Sequence, residues 1–240
     1  MEINLLHGNP VAISDQAFLF KRATRETALQ HKMYATFMAK PMEKEPGSAM
    51  HIHQSVIDIE RGENVFSRAS GEASRLFFAH IAGLQRYLPA AMSLLAPNVN
   101  SYRRLIRYHA APINVHWGYD NRTVGLRVPD STPQSRRIEN RVPGADANPY
   151  LVVAASLACG LLGMIDDLEP SDPVVDSAYD RPYDLPRNLE QALDALRNCR
   201  PLKELLGERF VTAYNAVKEN EYSTFSVSYT HLTLPPSDLV

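Results

Sequence analysis

The stretch Glu45-Pro-Gly-Ser-Ala-Met-His-Ile-His-Gln-Ser-Val-Ile57 alternates apolar and polar side chains after a Pro-Gly turn. This period of two predicts a strand with one buried face, whose other face carries His51, His53 and Ser55. Histidines at positions i and i+2 of a strand lie about 6.6 Å apart, so they suit two neighbouring subsites better than one shared ion. The alternative is a solvated histidine pair without a ligand.

The segments on either side of this strand mix strands and helices without regular alternation. The predicted strands are Glu2–Leu6, Tyr34–Pro41, Ala49–Ile57, Ile113–Trp117 and Thr123–Val128. The predicted helices are one that starts near Ser14 or Asp15, one capped by Ser70 and interrupted at Pro89, an apolar one capped by Asn148 and running from Pro149 to Met164, and short ones from Leu189, of which one ends at Gly207. This order predicts an α+β fold.

The composition is typical of a globular protein. The chain has 240 residues, of which 45% are apolar and 22% charged, and a formal net charge of -2. Balanced charge argues against a dedicated nucleic-acid binder, and two cysteines cannot staple a secreted scaffold. The N-terminus does not resemble a signal peptide, and the apolar stretch 149–165 is short for a bilayer span. We therefore expect a cytoplasmic protein with neither a nucleic-acid nor a membrane partner.

The chemistry-bearing residues indicate phosphate and metal binding. Candidate metal and acid–base residues are Glu2, His51, His53 and Glu139, whose donors suit Mg²⁺ or Mn²⁺ when phosphate oxygens complete the shell. Eight arginines lie between Asn98 and Pro143, and they form either a phosphate-neutralising pocket or a solvated charged face. Neither common type of phosphate-binding glycine loop is present, so a nucleotide would be held by arginines and metal.

Five strings of residues in this order resemble the catalytic domain of the glutamine synthetase family. They are Ala35-Thr-Phe-Met-Ala-Lys-Pro41, Glu45-Pro-Gly-Ser-Ala-Met-His-Ile-His53, Asn100-Ser-Tyr-Arg-Arg-Leu105, Asn121-Arg122 with Leu126-Arg-Val-Pro129, and Arg136-Arg-Ile-Glu-Asn-Arg141 leading to Ala147-Asn-Pro-Tyr150. The resemblance covers about residues 1–225 and is greatest to the branch of gamma-glutamylputrescine synthetases and related gamma-glutamyl-amine ligases. It implies a curved antiparallel sheet with flanking helices, an N-terminally incomplete domain over 1–225, and an atypical tail over 226–240 that lies outside the fold.

The resemblance also implies a reaction and roles for its residues. In this family two Mg²⁺ or Mn²⁺ ions hold ATP and L-glutamate, the glutamate side chain attacks the terminal phosphate, and ammonia or an amine then displaces phosphate. The positions that match the family's motifs are Glu2 for the first ion; His51 and Glu139 for the second; His53, Ser55 and Arg137 for ATP; Gly47, Arg104 and Arg141 for glutamate; and Arg122 and Arg127 as catalytic residues that neutralise the phosphates. From its own sequence context, Gly47 is either a site of close backbone approach or a plain turn glycine.

This chain departs from the family pattern in three places. The loop that carries a glutamate near the ammonium site in glutamine synthetases proper reads Arg107-Tyr-His-Ala-Ala-Pro112, with Ala110 at the glutamate's position. The family's small N-terminal domain and Glu-x-Glu metal strand have no counterpart, so we expect poor metal binding and little turnover. The tail from Ser226 does not continue the family's sequence. It is either foreign or frame-shifted translated sequence or a divergent loop.

The sequence therefore favours an ATP-dependent ligase that joins the glutamate side chain to an amine such as putrescine. His109, or an acid outside this chain, would assist the larger acceptor. The alternatives are a glutamine synthetase proper, which uses ammonia, and a non-catalytic structural relative. Family members assemble as double rings with active sites between subunits, so the resemblance implies a homo-oligomer for the complete protein.

Overall fold

The computed structural model describes residues 2–233, with eight helices and four strands among them. The helices are α1 (Pro10–Gln30), α2 (Arg75–Tyr87), α3 (Met92–Leu95), α4 (Val99–Tyr102), α5 (Pro149–Ile165), α6 (Leu189–Asn198), α7 (Arg200–Leu206) and α8 (Glu208–Thr233). The strands are β1 (Ile52–Gln54), β2 (Trp117–Tyr119), β3 (Leu126–Val128) and β4 (Ile138–Asn140). The prediction of an α+β fold is confirmed.

The four strands form one sheet in the order β1-β4-β3-β2. Strand β4 pairs antiparallel with both β1 and β3, whereas β2 and β3 are parallel. The sheet is therefore mixed, and the expectation of an antiparallel sheet is wrong for the β2–β3 pair. The link between these strands leaves β2 through a left-handed turn at Asp120 (φ 46°), and the Asp120 N–H then donates to the Val128 carbonyl. This bond continues the parallel pairing one residue beyond the end of β2.

The core lies between the sheet and the helices, with α2 packed directly on α5. Their backbones meet at two glycines, since a Cβ on Gly163 would lie 2.4 Å from the Gly83 Cα and 2.2 Å from the Ala79 carbonyl oxygen. Leu126 and Ile138 of the sheet are fully buried against the same cluster. Helices α6 and α7 also contribute to it, through Leu196 and Leu202.

Helix caps explain where the helices begin. The Asn148 side chain accepts from Tyr150 N and Leu151 N, and Pro149 opens α5, as predicted. Helix α1 uses the same pair, because Asn9 is its cap and Pro10 its first residue, so the predicted start at Ser14 or Asp15 is wrong. The Ser14 hydroxyl instead donates to the Pro10 carbonyl within the helix.

Other predicted boundaries also move. Ser74 rather than Ser70 caps α2, which ends before Pro89, whereas Gly207 (φ 95°) ends α7 as predicted. Residues 2–6 and 34–41 contain no strand, so both strand predictions are wrong; no neighbouring strand pairs with their backbone groups in the described structure. Of the predicted strand at 113–117 only Trp117 lies in β2, so that prediction is wrong over 113–116, whereas the predicted strands at 49–57 and 123–128 shorten to β1 and β3.

The C-terminal helix α8 runs to Thr233 and so crosses the domain boundary predicted at residue 225. That boundary stays a prediction, and residues 234–240 lie outside the described residues. Over residues 2–233, none of the helices combines the length and apolarity that crossing a bilayer requires.

Candidate active site

Pairing of the three neighbouring strands places candidate residues in one row across the sheet. His53 lies opposite Glu139, and Glu139 lies opposite Arg127. Residues one position away, Gln54 and Asn140, are buried on the helix-packed side. The predicted alternation is therefore correct at His53 and Gln54, which point to opposite faces of the sheet. The pairing of the strands brings the His53 imidazole, the Glu139 carboxylate and the Arg127 guanidinium to the same face.

Glu139 is the centre of this face. Its Oε1 lies 3.1 Å from His51 Nδ1, 3.9 Å from His53 Nε2 and 3.0 Å from the Arg141 guanidinium. Its Oε2 accepts from Arg127 at 2.9 Å. Burial by itself would raise the pKa of Glu139, but the hydrogen bonds from His51 and Arg127 and the charge of Arg141 hold that pKa well below its usual range. The side chain is therefore an ionised carboxylate, 4% exposed, among positive groups.

Arg127 is held from two sides. Besides Glu139, its Nε donates to Asp120 Oδ1 at 3.1 Å, and Nη2 donates to the same oxygen. The Arg127 side chain is 15% exposed, whereas that of Asp120 is 64% exposed. Sequence reasoning missed Asp120, since an aspartate before an Asn-Arg pair at a strand end reads as an ordinary turn residue.

Of the residues assigned to ATP, the structure joins only His53 and Arg137 to this row by a contact. Arg137 Nε donates to His53 Nδ1 at 3.2 Å, so the proton of a neutral His53 lies on Nε2, toward Glu139. Partial burial lowers the pKa of His53, which keeps the ring neutral at pH 7. Ser55 and Arg122 are exposed, and neither side chain has a hydrogen bond or ion pair with another described residue.

Arg104 and Gly47 form a second part of the site. Arg104 is 2% exposed, and its terminal nitrogens donate to the carbonyls of Arg141, Val142 and Pro143. A Cβ on Gly47 would lie 2.5 Å from Arg104 Cγ, so the glycine is needed for this packing as well as for any close approach of a ligand. Burial lowers the pKa of Arg104 to about 10, which still leaves the group charged at neutral pH.

Two buried donors in this region have no acceptor. Arg104 Nε and Arg141 Nε are both inaccessible to solvent, and neither donates a hydrogen bond in the described structure. An unsatisfied buried donor costs about 1–3 kcal/mol, more when it belongs to a charged group. Both arginines are those that the family resemblance assigns to glutamate.

Lys40 lies next to the loop in which the chain departs from the family. It is 6% exposed, and its Nζ donates to the Glu45 carbonyl and lies 3.4 Å from His109 Nδ1. An ammonium group only donates, so Nδ1 accepts and a neutral His109 carries its proton on Nε2. Sequence reasoning placed Lys40 in a family motif without a role.

The predicted metal ligands are brought together only in part. His51 and Glu139 are in contact, but Glu2 is exposed in the segment before α1 and has no contact with either. Within residues 2–233, no group of three or more His, Cys, Asp or Glu side chains is arranged to hold a metal ion. An imidazole and an ionised carboxylate do fit Mg²⁺ or Mn²⁺ as two ligands, with water and phosphate oxygens as the others.

A buried polar cluster supports the site from behind. Ser156 of α5 donates to Gln54 Oε1 of β1 and accepts from Asn140 of β4, and Gln54 also contacts His80 of α2. These bonds tie to the helices the two strands that carry His53 and Glu139. The cluster was not predicted, because Gln54 and Asn140 read as ordinary polar strand residues.

Comparison with known proteins places the chain in a family. The model of the family described as "Glutamine synthetase, catalytic domain" matches residues 1–234. The chain belongs to the glutamine synthetase family. Relatives named for amine ligation and relatives named glutamine synthetase both match this chain. Gamma-glutamylputrescine synthetase PuuA of Escherichia coli (strain K12) is 44% identical over 93% of the chain and 48% of its own length. Glutamate–isopropylamine ligase of Pseudomonas sp is 37% identical over 90% of the chain and 48% of its own length.

A glutamine synthetase of Halobacterium salinarum is 35% identical over 95% of the chain and 52% of its own length. The glutamine synthetase domain described here thus spans about half the length of these relatives. Two solved structures share its fold. "GmaS/ADP complex-Conformation 1" superposes with a TM-score of 0.84 at 28% identity, over 98% of this chain and 55% of that one. "Apo GmaS without ligand" gives 0.82 at 30% identity, over 92% and 52%.

Proposed function

We propose that this chain carries part of the active site of an ATP-dependent ligase that joins the side-chain carboxylate of L-glutamate to an amine. The observation that carries the proposal is the environment of Glu139, an ionised carboxylate in contact with His51, Arg127 and Arg141 on one face of the sheet. Transfer of a phosphoryl group needs positioned positive charge more than it needs a protein nucleophile, and this face supplies it.

The reaction has two steps. A glutamate side-chain oxygen attacks the terminal phosphorus of ATP, the bond to ADP breaks, and gamma-glutamyl phosphate forms. The nitrogen of the amine then attacks the acyl carbon, phosphate leaves, and the amine gives up a proton. Mg²⁺ or Mn²⁺, when bound, neutralises the phosphate oxygens, with His51 and Glu139 as ligands of one ion and Glu2 of a second.

The arginines divide between the two substrates. Arg122 and Arg127 neutralise the transferred phosphate, and Arg137, His53 and Ser55 contact ATP. Gly47, Arg104 and Arg141 hold glutamate, which is the role that the matching family motifs imply for them. The terminal nitrogens of Arg104 also hold the backbone after β4 in place.

The acceptor is a primary amine of the size of putrescine. The loop 107–112 has Ala110 where an acid would be needed to bind ammonium, and alanine leaves space without charge. His109 presents an N–H at Nε2, so it can accept the proton of the amine only if Nδ1 leaves Lys40. The names of two relatives, a putrescine and an isopropylamine ligase, agree with an amine acceptor. The complete protein is a cytoplasmic homo-oligomer.

The test is ADP release by the chain and by the full reading frame that encodes it. Each is assayed with ATP and Mg²⁺, with and without glutamate, against ammonia, putrescine and isopropylamine. We expect little release by the chain itself, and release by the product of the full reading frame that requires glutamate and is fastest with an amine. Preference for ammonia would favour a glutamine synthetase proper. If neither protein released ADP with any of the three acceptors, a non-catalytic relative would be favoured.

A further inference from the structure

The contact between Asp120 and Arg127 has a one-sided geometry. A single oxygen of Asp120 accepts from both Nε and Nη2, the two donors on one edge of the guanidinium plane. Glu139 accepts from Nη1 on the other side. Two carboxylates therefore fix the plane of a side chain that would otherwise rotate about its long aliphatic stem.

A count of donors shows what remains for a ligand. A guanidinium has five N–H groups, of which the described contacts use three: one on each nitrogen. One N–H on Nη1 and one on Nη2 are left. Asp120 thus occupies the edge nearest the strand backbone and leaves donors on both terminal nitrogens available.

Asp120 is itself held rigidly although it is exposed. Its N–H donates to the Val128 carbonyl at 2.9 Å, and its backbone is left-handed, with φ of 46°. The next residue, Asn121, donates to the carbonyls of Val174 and Asp176 and accepts from Thr123 N. The carboxylate therefore projects from a backbone that is tied to the sheet and to the segment beyond it.

We propose that Asp120 is a positioning residue, which holds the Arg127 guanidinium so that its two remaining N–H groups meet the phosphates of the nucleotide. This inference rests on the proposed function, because the phosphates are those of ATP or ADP. Asp120 acts through Arg127 and contributes no ligand contact of its own.

The experiment compares Asp120→Asn and Asp120→Ala with Asp130→Asn and Asp130→Ala. Asp130 follows β3, is exposed and has no side-chain contact with a described residue, so its variants reproduce the change in net charge alone. ADP affinity with Mg²⁺ is measured by calorimetry on the complete chain. We expect Asp120→Ala to weaken binding by about tenfold, Asp120→Asn to weaken it less, and the Asp130 variants to leave it unchanged.

Two further measurements separate positioning from general loss of structure. In an Arg127→Lys background, Asp120→Ala should cause little additional loss, since its effect passes through the guanidinium. In NMR spectra, the Arg127 Nε–H signal should shift and exchange faster with water in Asp120→Ala but not in Asp130→Ala. Unchanged or tighter ADP binding by Asp120→Ala would overturn the inference.

Failure of the proposed function gives a different pattern. If the unmodified chain binds no ADP, this chain does not bind the nucleotide as proposed, and Asp120 then does not orient Arg127 toward its phosphates. The Arg127 Nε–H signal then still decides the local claim, because an unaltered signal in Asp120→Ala would show that Asp120 does not hold Arg127.

Discussion

Glu139 is the residue on which the charge balance of the site depends. It is buried and makes contacts with two guanidinium groups, and both would be left without this counterion if the carboxylate were neutral. Removing one partner from a buried ion pair is more costly than the net value of the pair, because the other charge stays buried.

We therefore expect Glu139→Gln to lower the free energy of unfolding by about 3 kcal/mol at pH 7. The pKa of Glu139 is depressed in the folded state, so its stabilising contribution is present above the ordinary value of 4.5 and is lost as the pH falls below it. The difference between the two proteins should accordingly shrink from pH 5 toward pH 3. Urea unfolding across this range is the measurement, with the exposed Glu169→Gln as control; a difference that stays constant with pH would contradict the assignment.

The backbone at Ala110 is strained. Its φ is 57° and that of Tyr108 is 62°, and both values lie in the left-handed region that favours glycine. The Tyr108 hydroxyl compensates in part by donating to Asp180 at 3.1 Å. Ala110 has only a methyl group, which makes it the simpler position to test.

Replacement of Ala110 by glycine should raise the free energy of unfolding by about 0.5–1 kcal/mol, because relief of the left-handed backbone exceeds the added chain entropy. Ala111→Gly is the matched control: Ala111 is buried with an ordinary backbone, so this change should be destabilising. Chemical denaturation measures both, and a loss of stability in Ala110→Gly would show that the loop is not strained there.

At the scale of elements, the α2–α5 contact determines how closely the helices support the sheet. A Cβ on Gly163 would lie 2.2 Å from the Ala79 carbonyl oxygen, which is backbone and cannot rotate away. We expect Gly163→Ala to separate the helices and to destabilise the fold by about 3 kcal/mol. Gly8→Ala should be close to neutral, since a Cβ there meets nothing within 4 Å. Thermal unfolding distinguishes the two, and equal melting temperatures would contradict the packing described.

His80 of α2 makes the same region sensitive to pH. Burial lowers the pKa of His80 from 6.5 to about 4, and the ring is 1% exposed beside Gln54. Because the folded pKa lies below the unfolded value, the contribution of neutral His80 is present above pH 6.5 and is lost as the pH falls toward 4.

The shift corresponds to about 3 kcal/mol of stability over this window. His80→Phe should remove most of that pH dependence, whereas the exposed His31→Gln should leave it unchanged. Unfolding free energies at several values between pH 7 and pH 4 provide the measurement. If His80→Phe showed the same pH dependence of the unfolding free energy as the unmodified chain, His80 would not be the source of that dependence.

At the scale of the whole molecule, the domain has two of the predicted metal ligands in contact and the third apart. His51 Nδ1 and Glu139 Oε1 are 3.1 Å apart, while Glu2 is exposed and has no hydrogen bond or ion pair with either residue. An ion with two protein ligands is held mainly by water and any bound phosphate.

Mn²⁺ should therefore bind the isolated chain weakly, with a dissociation constant of about 1 mM or above, in the range of the weakest extracellular calcium modules. Addition of ADP should tighten binding, because phosphate oxygens complete the shell. Electron paramagnetic resonance of free Mn²⁺ measures this, and His51→Ala should weaken it further while His31→Ala should not. Micromolar binding without nucleotide would mean that Glu2 or other ligands join the site.

The sequence by itself determined the class of fold, the family and most of the candidate residues, because these depend on local signals. The alternation in residues 50–56 and the Asn148-Pro149 cap act over a few neighbours along the chain, so they can be read without knowing the fold. The motifs led to Glu139, Arg127 and His51 for the same reason. The predicted strands at 2–6 and 34–41 failed because a strand also needs a partner, which local alternation does not supply.

Only the tertiary structure decided how these residues combine. The register of β4 against β1 and β3 put Glu139 beside His53 and Arg127, and the pairing of β2 with β3 is parallel although both other pairs are antiparallel. Asp120 and Lys40 contact side chains that lie 7 and 69 residues away along the chain. Such contacts arise from packing across the whole domain, and the chain's local patterns carry no information about them.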